Sequence, residues 1–181
     1  MLRRLIKSAV LALVLSTFAG CLLEGTLEPD GSGTLMVKYR LTNADQFAAA
    51  KKRMQGPNST LTKSGLDADK WATFDLKLTD VTKLPTIQFF DHTKATLTDD
   101  AAAGTKTLNI KFFNPSHTEL PKEMIDYFGN TVTIKMHLPG DVVKSNATTT
   151  EGKTAVWTYT MNEFGDKAEV DLTATFKAPK S

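Results

Sequence analysis

The chain has 181 residues, with 22 Lys and Arg against 20 Asp and Glu and a formal charge of +2. No block of like charge stands out and no basic stripe is interleaved with aromatics, which argues against nucleic acid as a partner. Cys21 is the lone cysteine, so internal disulfides are excluded, and a chain of this length buries enough apolar surface to fold without them.

Met1 to Lys7 carries Arg3, Arg4 and Lys7 with no acid, and Ala9 to Ala19 is almost wholly apolar. That order is an export signal, and the apolar run is shorter than the roughly 20 residues a bilayer-spanning helix needs. Phe18-Ala19-Gly20-Cys21 resembles the bacterial lipobox: a bulky apolar residue, two small ones that admit the peptidase, and a cysteine whose sulfur takes the diacylglyceryl group. Residues 1–20 are therefore expected to be removed. The remainder, 21–181, is expected to be a single domain held on a membrane by acyl chains on Cys21, since two or three chains give a stable anchor. Loss of Arg3, Arg4 and Lys7 turns the formal charge from +2 to −1. Leu22, not Asp, follows the cysteine, which by the sorting rule of enteric bacteria points to the outer membrane in a Gram-negative cell. Otherwise the address is the outer face of the plasma membrane.

Strand patterns begin at once. Leu23 to Glu28 and Thr34 to Leu41 flank the turn cluster Pro29-Asp30-Gly31-Ser32-Gly33 and predict a hairpin. These glycines run from strand to strand, so they do not build a phosphate-cradling loop. Asn43 and Gln46 start a helix in which Phe47, Ala50 and Met54 share a face until Gly56-Pro57. Trp71 to Thr79 alternates as a strand, and Thr93 to Thr98 pairs with Thr105 to Phe113. A second helix is predicted from about Leu120 to Phe128, with Gly129 after it. Thr131 to Leu138, Lys153 to Met161 and Lys167 to Lys177 each alternate apolar and polar residues, as antiparallel strands with one wet face do. The fold class is α+β: a twisted, mainly antiparallel β-sheet of seven to nine strands with two short helices packed on one side.

Leu84-Pro85-Thr86-Ile87-Gln88-Phe89-Phe90-Asp91 fits this pattern least well. Adjacent aromatics on an extended chain point to opposite faces, so Phe89 and Phe90 either lie in a strand covered on both sides or present one ring as a lipid contact.

Three features together resemble the LppM-domain family of bacterial lipoproteins. They are the lipidated cysteine running straight into a strand, the hairpin Asp30-Gly31-Ser32-Gly33-Thr34, and the block from Val132 through His137-Leu138-Pro139-Gly140 to Val143, followed by Ser145-Asn146 and Val156-Trp157-Thr158. The resemblance covers essentially the whole chain after residue 20. It implies an envelope-anchored domain that binds lipid or glycolipid and has no catalytic residues or cofactor.

The residues themselves offer no catalytic constellation. His92, His117 and His137 are widely separated, no Gly-x-Ser-x-Gly elbow is present, and with Cys21 lipidated no metal site is expected. Asp99-Asp100 and Pro139-Gly140 read as turns, and Trp157 as core. The leading expectation is a non-enzymatic module that binds a lipid or glycolipid at the membrane surface, in an apolar space between sheet and helices. The alternative is an assembly lipoprotein that offers a sheet edge or loop to another envelope protein.

Overall fold

The computed structural model describes residues 20–115 and 121–178. The leader therefore lies outside the described residues except for Gly20, as do Leu120, His117 and the last three residues. Strands β1 (Gly20–Leu27) and β2 (Gly33–Arg40) form the expected hairpin. Gly31 turns it with φ +88°, a value that suits a residue without Cβ, and Asp30 Oδ1 accepts from the Ser32 amide and hydroxyl at 2.9 and 2.6 Å.

Eleven described strands divide into two sheets. The larger has the order β3-β4-β2-β1-β7-β10-β9, adding β3 (Ser59–Leu66), β4 (Trp71–Leu78), β7 (Thr131–His137), β9 (Thr149–Glu151) and β10 (Thr154–Thr160) to the hairpin. The smaller has the order β5-β6-β11-β8, from β5 (Thr93–Asp100), β6 (Thr105–Phe113), β8 (Val142–Ser145) and β11 (Glu169–Lys177). β1 and β7 run parallel, and the other described pairs are antiparallel. The α+β class holds, and the first sheet packs on a second sheet as well as on helical segments, with Phe47 stacked on Phe74 of β4. Alternation of apolar and polar residues demands only that one face of each strand be buried, and either kind of layer satisfies it.

The inward faces share one core. Val37, Phe74, Leu76, Ile134, Ala155 and Trp157 of the larger sheet meet Leu108, Ile110, Val170, Leu172, Ala174 and Phe176 of the smaller. Full burial of side chains of this size contributes about 1.5–3 kcal/mol each. Trp157, 1% exposed, also donates its Nε1–H to Asn146 Oδ1 at 2.8 Å. Asn146 follows β8, and its Oδ1 also accepts from the Thr173 amide while its Nδ2 donates to the Asp171 carbonyl. One amide thus ties β10 of the larger sheet to β11 of the smaller.

Two of the three short α-helices lie at one end of this sandwich, and strand direction explains why. β1 and the parallel β7 start there, while the antiparallel β2 and β10 finish there. Hence α2 (Lys122–Phe128), which precedes β7, and α3 (Met161–Asp166), which follows β10, belong to that end, whereas α1 (Phe47–Arg53) follows β2 and leads toward the opposite end, where the Met54 carbonyl oxygen lies 3.5 Å from Ser59 Oγ at the start of β3. The opposite end carries the hairpin turns at 28–32, 101–104 and 151–153. Ala50 of α1 and Met54, which caps it, are buried and Phe47 is half-buried, as their spacing predicted. α3 was not predicted. Its signal is in the sequence, since Thr160 and Glu163 form a reciprocal capping box just where the β10 alternation stops.

Candidate functional site

Cys21 occupies the second position of β1, paired with Val132 of β7, in the middle of the larger sheet and at its helical end. Its side chain is half-buried on the inward face, and burial pushes the thiol up to about 11. Gly20 before it passes so close to β7 that a Cβ there would stand 2.0 Å from the Thr131 carbonyl oxygen. Leu22 pairs with Lys38, which brings Tyr39 of β2 beside Cys21, and burial raises the Tyr39 hydroxyl above its ordinary range.

The segment around Phe89 and Phe90 is not extended. Asp80 caps a 3₁₀ helix at Val81–Thr86, accepting from the Thr82 amide at 2.8 Å and hydroxyl at 2.7 Å, and a second short turn covers Gln88–Phe90. Successive side chains on a 3₁₀ turn are about 120° apart instead of opposed, so both rings reach the same side. Phe90 is 2% exposed and Phe89 half-buried. The two-sided arrangement expected of an extended chain is therefore replaced by an edge-to-face pair with centroids 4.9 Å apart. Phe89 continues into an aromatic chain: Tyr39 at 5.4 Å, Phe74 at 6.0 Å from Tyr39, and Phe47 stacked on Phe74 at 5.5 Å. The Arg53 guanidinium lies 6.0 Å above the Phe89 ring.

Further aromatics surround the same end. Phe164 of α3 touches Phe112 and Tyr159, Tyr127 packs on Phe128, and Arg40 sits 4.3 Å over Tyr127. Phe113 and Met124 are each 41% exposed. Cys21, Phe89 and Phe90 thus share one end of the molecule with Tyr39, and Phe47 and Arg53 approach Phe74 and Phe89 from further along the sheet; the sequence did not mark Tyr39, Phe47 or Arg53 as site residues. Strand register assembles them, and no local motif announces them.

Between the sheets, beside Leu27, Leu35, Val81, Leu84, Ile110 and Met136, an apolar space of about 30 Å³ remains, far below the several hundred Å³ of a ligand pocket. The outward face of the larger sheet carries an open polar concavity of about 440 Å³ lined in part by Glu24, Thr26, Thr34, Asp75 and His137. Glu24 accepts from Lys135 Nζ at 2.8 Å and lies 3.0 Å from His137 Nε2. The Lys135 and then the His137 hydrogen bonds hold its carboxyl below the ordinary 4.5. His92 is exposed beside Asp91, and among the described residues no group of His, Cys, Asp and Glu has the arrangement of a metal site. Among the same residues no helix is long and apolar enough to cross a membrane.

No known family's sequence model matches the chain, and no curated protein matches it. A solved structure does match: the NMR structure of the folded domain of Mycobacterium tuberculosis LppM, at 12% identity and a TM-score of 0.52, over 88% of this chain and 90% of that one. At that identity the likeness speaks for the fold alone. The chain has an LppM-like α+β fold, similar to that of a lipoprotein's folded domain.

Proposed function

We propose that this chain is an exported, non-enzymatic lipoprotein held through acyl chains on Cys21, whose helical end lies against the membrane and contacts lipid there. The observation that carries the reading is the position of Cys21: it opens a central strand at the end where α2 and α3 lie and where Tyr39, beside it, begins the aromatic chain to Phe89, Phe74 and Phe47. An anchor with no linker would hold that end at the headgroups, where aromatic side chains with one apolar and one wet side are favoured. The narrow space between the sheets favours contact with lipid or glycolipid at this surface over enclosure of a lipid in the core. The address is the outer membrane in a Gram-negative cell and the outer face of the plasma membrane otherwise.

The test has two parts. Cells grown with labelled palmitate should label the wild type and not Cys21→Ser, and label on the variant would overturn the anchor. Titration of the mature chain with lipid should give micromolar affinity, about 8 kcal/mol, and Phe89→Asp should weaken it with the circular dichroism spectrum unchanged. Absence of binding across phospholipids and glycolipids would overturn the lipid contact.

One observation favours a second reading, docking of another envelope protein. β3 is an eight-residue edge strand of the larger sheet, with four residues exposed and four half-buried. The irregularity between Leu61 and Lys63, with a Lys at the edge, is a device that discourages strand addition, so this reading ranks second.

A further inference from the structure

We infer that the anchored end is immersed in the interfacial layer of the bilayer, with Trp71, Tyr127 and Tyr159 as an aromatic girdle at headgroup depth and Phe113 and Met124 as apolar tips, a reading that rests on the anchor proposed above. The placement of the amphipathic aromatics carries it. The chain has three tyrosines and two tryptophans. Trp157 is core, and the other four all stand where β1 begins. Tyr159 shares the partner Val132 with Cys21, Tyr39 flanks Cys21 on β2, Trp71 pairs with Arg40 one position further on, and the Tyr127 hydroxyl donates to the Leu41 carbonyl oxygen at 2.6 Å. All four rings are half-buried. Three of them face a cation: Lys38 Nζ lies 5.6 Å from the Trp71 ring, Arg40 4.3 Å from Tyr127 and Lys167 Nζ 5.0 Å from Tyr159. A half-buried ring with a polar tip, beside a cation that keeps its head in water, is the side-chain chemistry of a membrane–water interface. An end that needed only packing would be filled as well by phenylalanine, which has no polar tip to satisfy.

The same end carries two of the three large apolar side chains that stand exposed among the described residues. Phe113 closes β6 opposite Glu169, where β11 begins after α3, and Met124 lies in the first turn of α2; each is 41% exposed. What covers them follows from where the chain enters the domain. The apolar run Ala9–Ala19 of the uncut chain and the acyl chains of the cut one both join it at Gly20–Cys21, directly at the start of β1. The headgroup layer is about 5–8 Å deep on each side of the acyl core, and two strand residues span about 7 Å. Side chains at the level of Cys21 therefore fall within that layer, and the occupant is the bilayer interface itself.

The test uses the acylated chain in phosphatidylcholine vesicles, where the Cys21 sulfur is occupied and a cysteine introduced elsewhere is the only free thiol. Phosphatidylcholine brominated on its acyl chains should lower the tryptophan emission of the wild type and leave unchanged that of Trp71→Phe, which reports Trp157 alone. A polarity-sensitive dye on Phe113→Cys or Met124→Cys should emit at shorter wavelength than the same dye on Ala102→Cys, in the turn at the opposite end, with the circular dichroism spectrum of each variant like that of wild type. Acylated protein in which Trp71 is unquenched, or in which positions 113 and 124 emit like position 102, overturns the immersion and leaves the anchor standing. Dye taken up by the denatured chain with no added cysteine reveals a free Cys21 sulfur and overturns the anchor, and the immersion with it.

Discussion

Trp157 joins the two layers through both packing and a hydrogen bond to Asn146. Trp157→Ala removes an indole that is 1% exposed and leaves a cavity between the sheets, so the fold should lose about 3–5 kcal/mol. Trp157→Phe keeps most of the packing but leaves Asn146 Oδ1 only the Thr173 amide, and should cost distinctly less. Urea unfolding of both variants measures the difference, and equal losses would show that the hydrogen bond, not the packing, governs this position. Glu24 makes a second prediction. Its carboxyl is held below the ordinary 4.5, so its contribution to stability is complete above that pH and disappears as pH falls through the depressed value. Urea midpoints measured from pH 7 down to about pH 3 should fall more steeply for wild type than for Glu24→Gln on the acid side.

At the scale of elements, caps and close approaches decide more than propensity. α3 has six residues, too few to be stable without support, and the Thr160 hydroxyl accepts from the Glu163 amide while Glu163 reaches back to the Thr160 amide. Thr160→Ala should cost about 1 kcal/mol. The cost should appear as faster amide exchange in 161–166 before it appears in global unfolding. At the opposite end, Gly140 lies so close to β11 that a Cβ would stand 1.9 Å from the Lys177 carbonyl oxygen. Backbone cannot yield as a flexible side chain can, so Gly140→Ala should destabilise the fold by about 1–3 kcal/mol. An unchanged melting temperature would show that β8 and β11 can separate locally.

The whole molecule was partly legible in the sequence. β1, β2, β4, β6, β7, β10 and β11 lie where alternation predicted them, because each buries one face in the shared core. β3 escaped because an exposed edge strand with an irregular register has little alternation to read. The short strands β8 and β9 escaped because they owe their conformation to partners on β11 and β10. For the candidate site, Cys21 was marked by its own motif. The neighbourhood of Phe89 was not, since the Asp80 cap and the bond from the Ile87 amide to the Leu84 carbonyl oxygen override the extended reading.

The placement of β1 between β2 and β7 has a mechanical consequence. A strand at a sheet's edge, pulled sideways, opens one hydrogen bond after another, as a zip does. Traction applied at Cys21 along β1 instead loads the ladders to β2 and β7 together in shear, on both flanks of the strand. Any drag on the domain, from flow or from a bound neighbour, would pass from the bilayer into the two central ladders, and a tug on the tether should be resisted far more strongly than the same force on the short strand β9 at the rim.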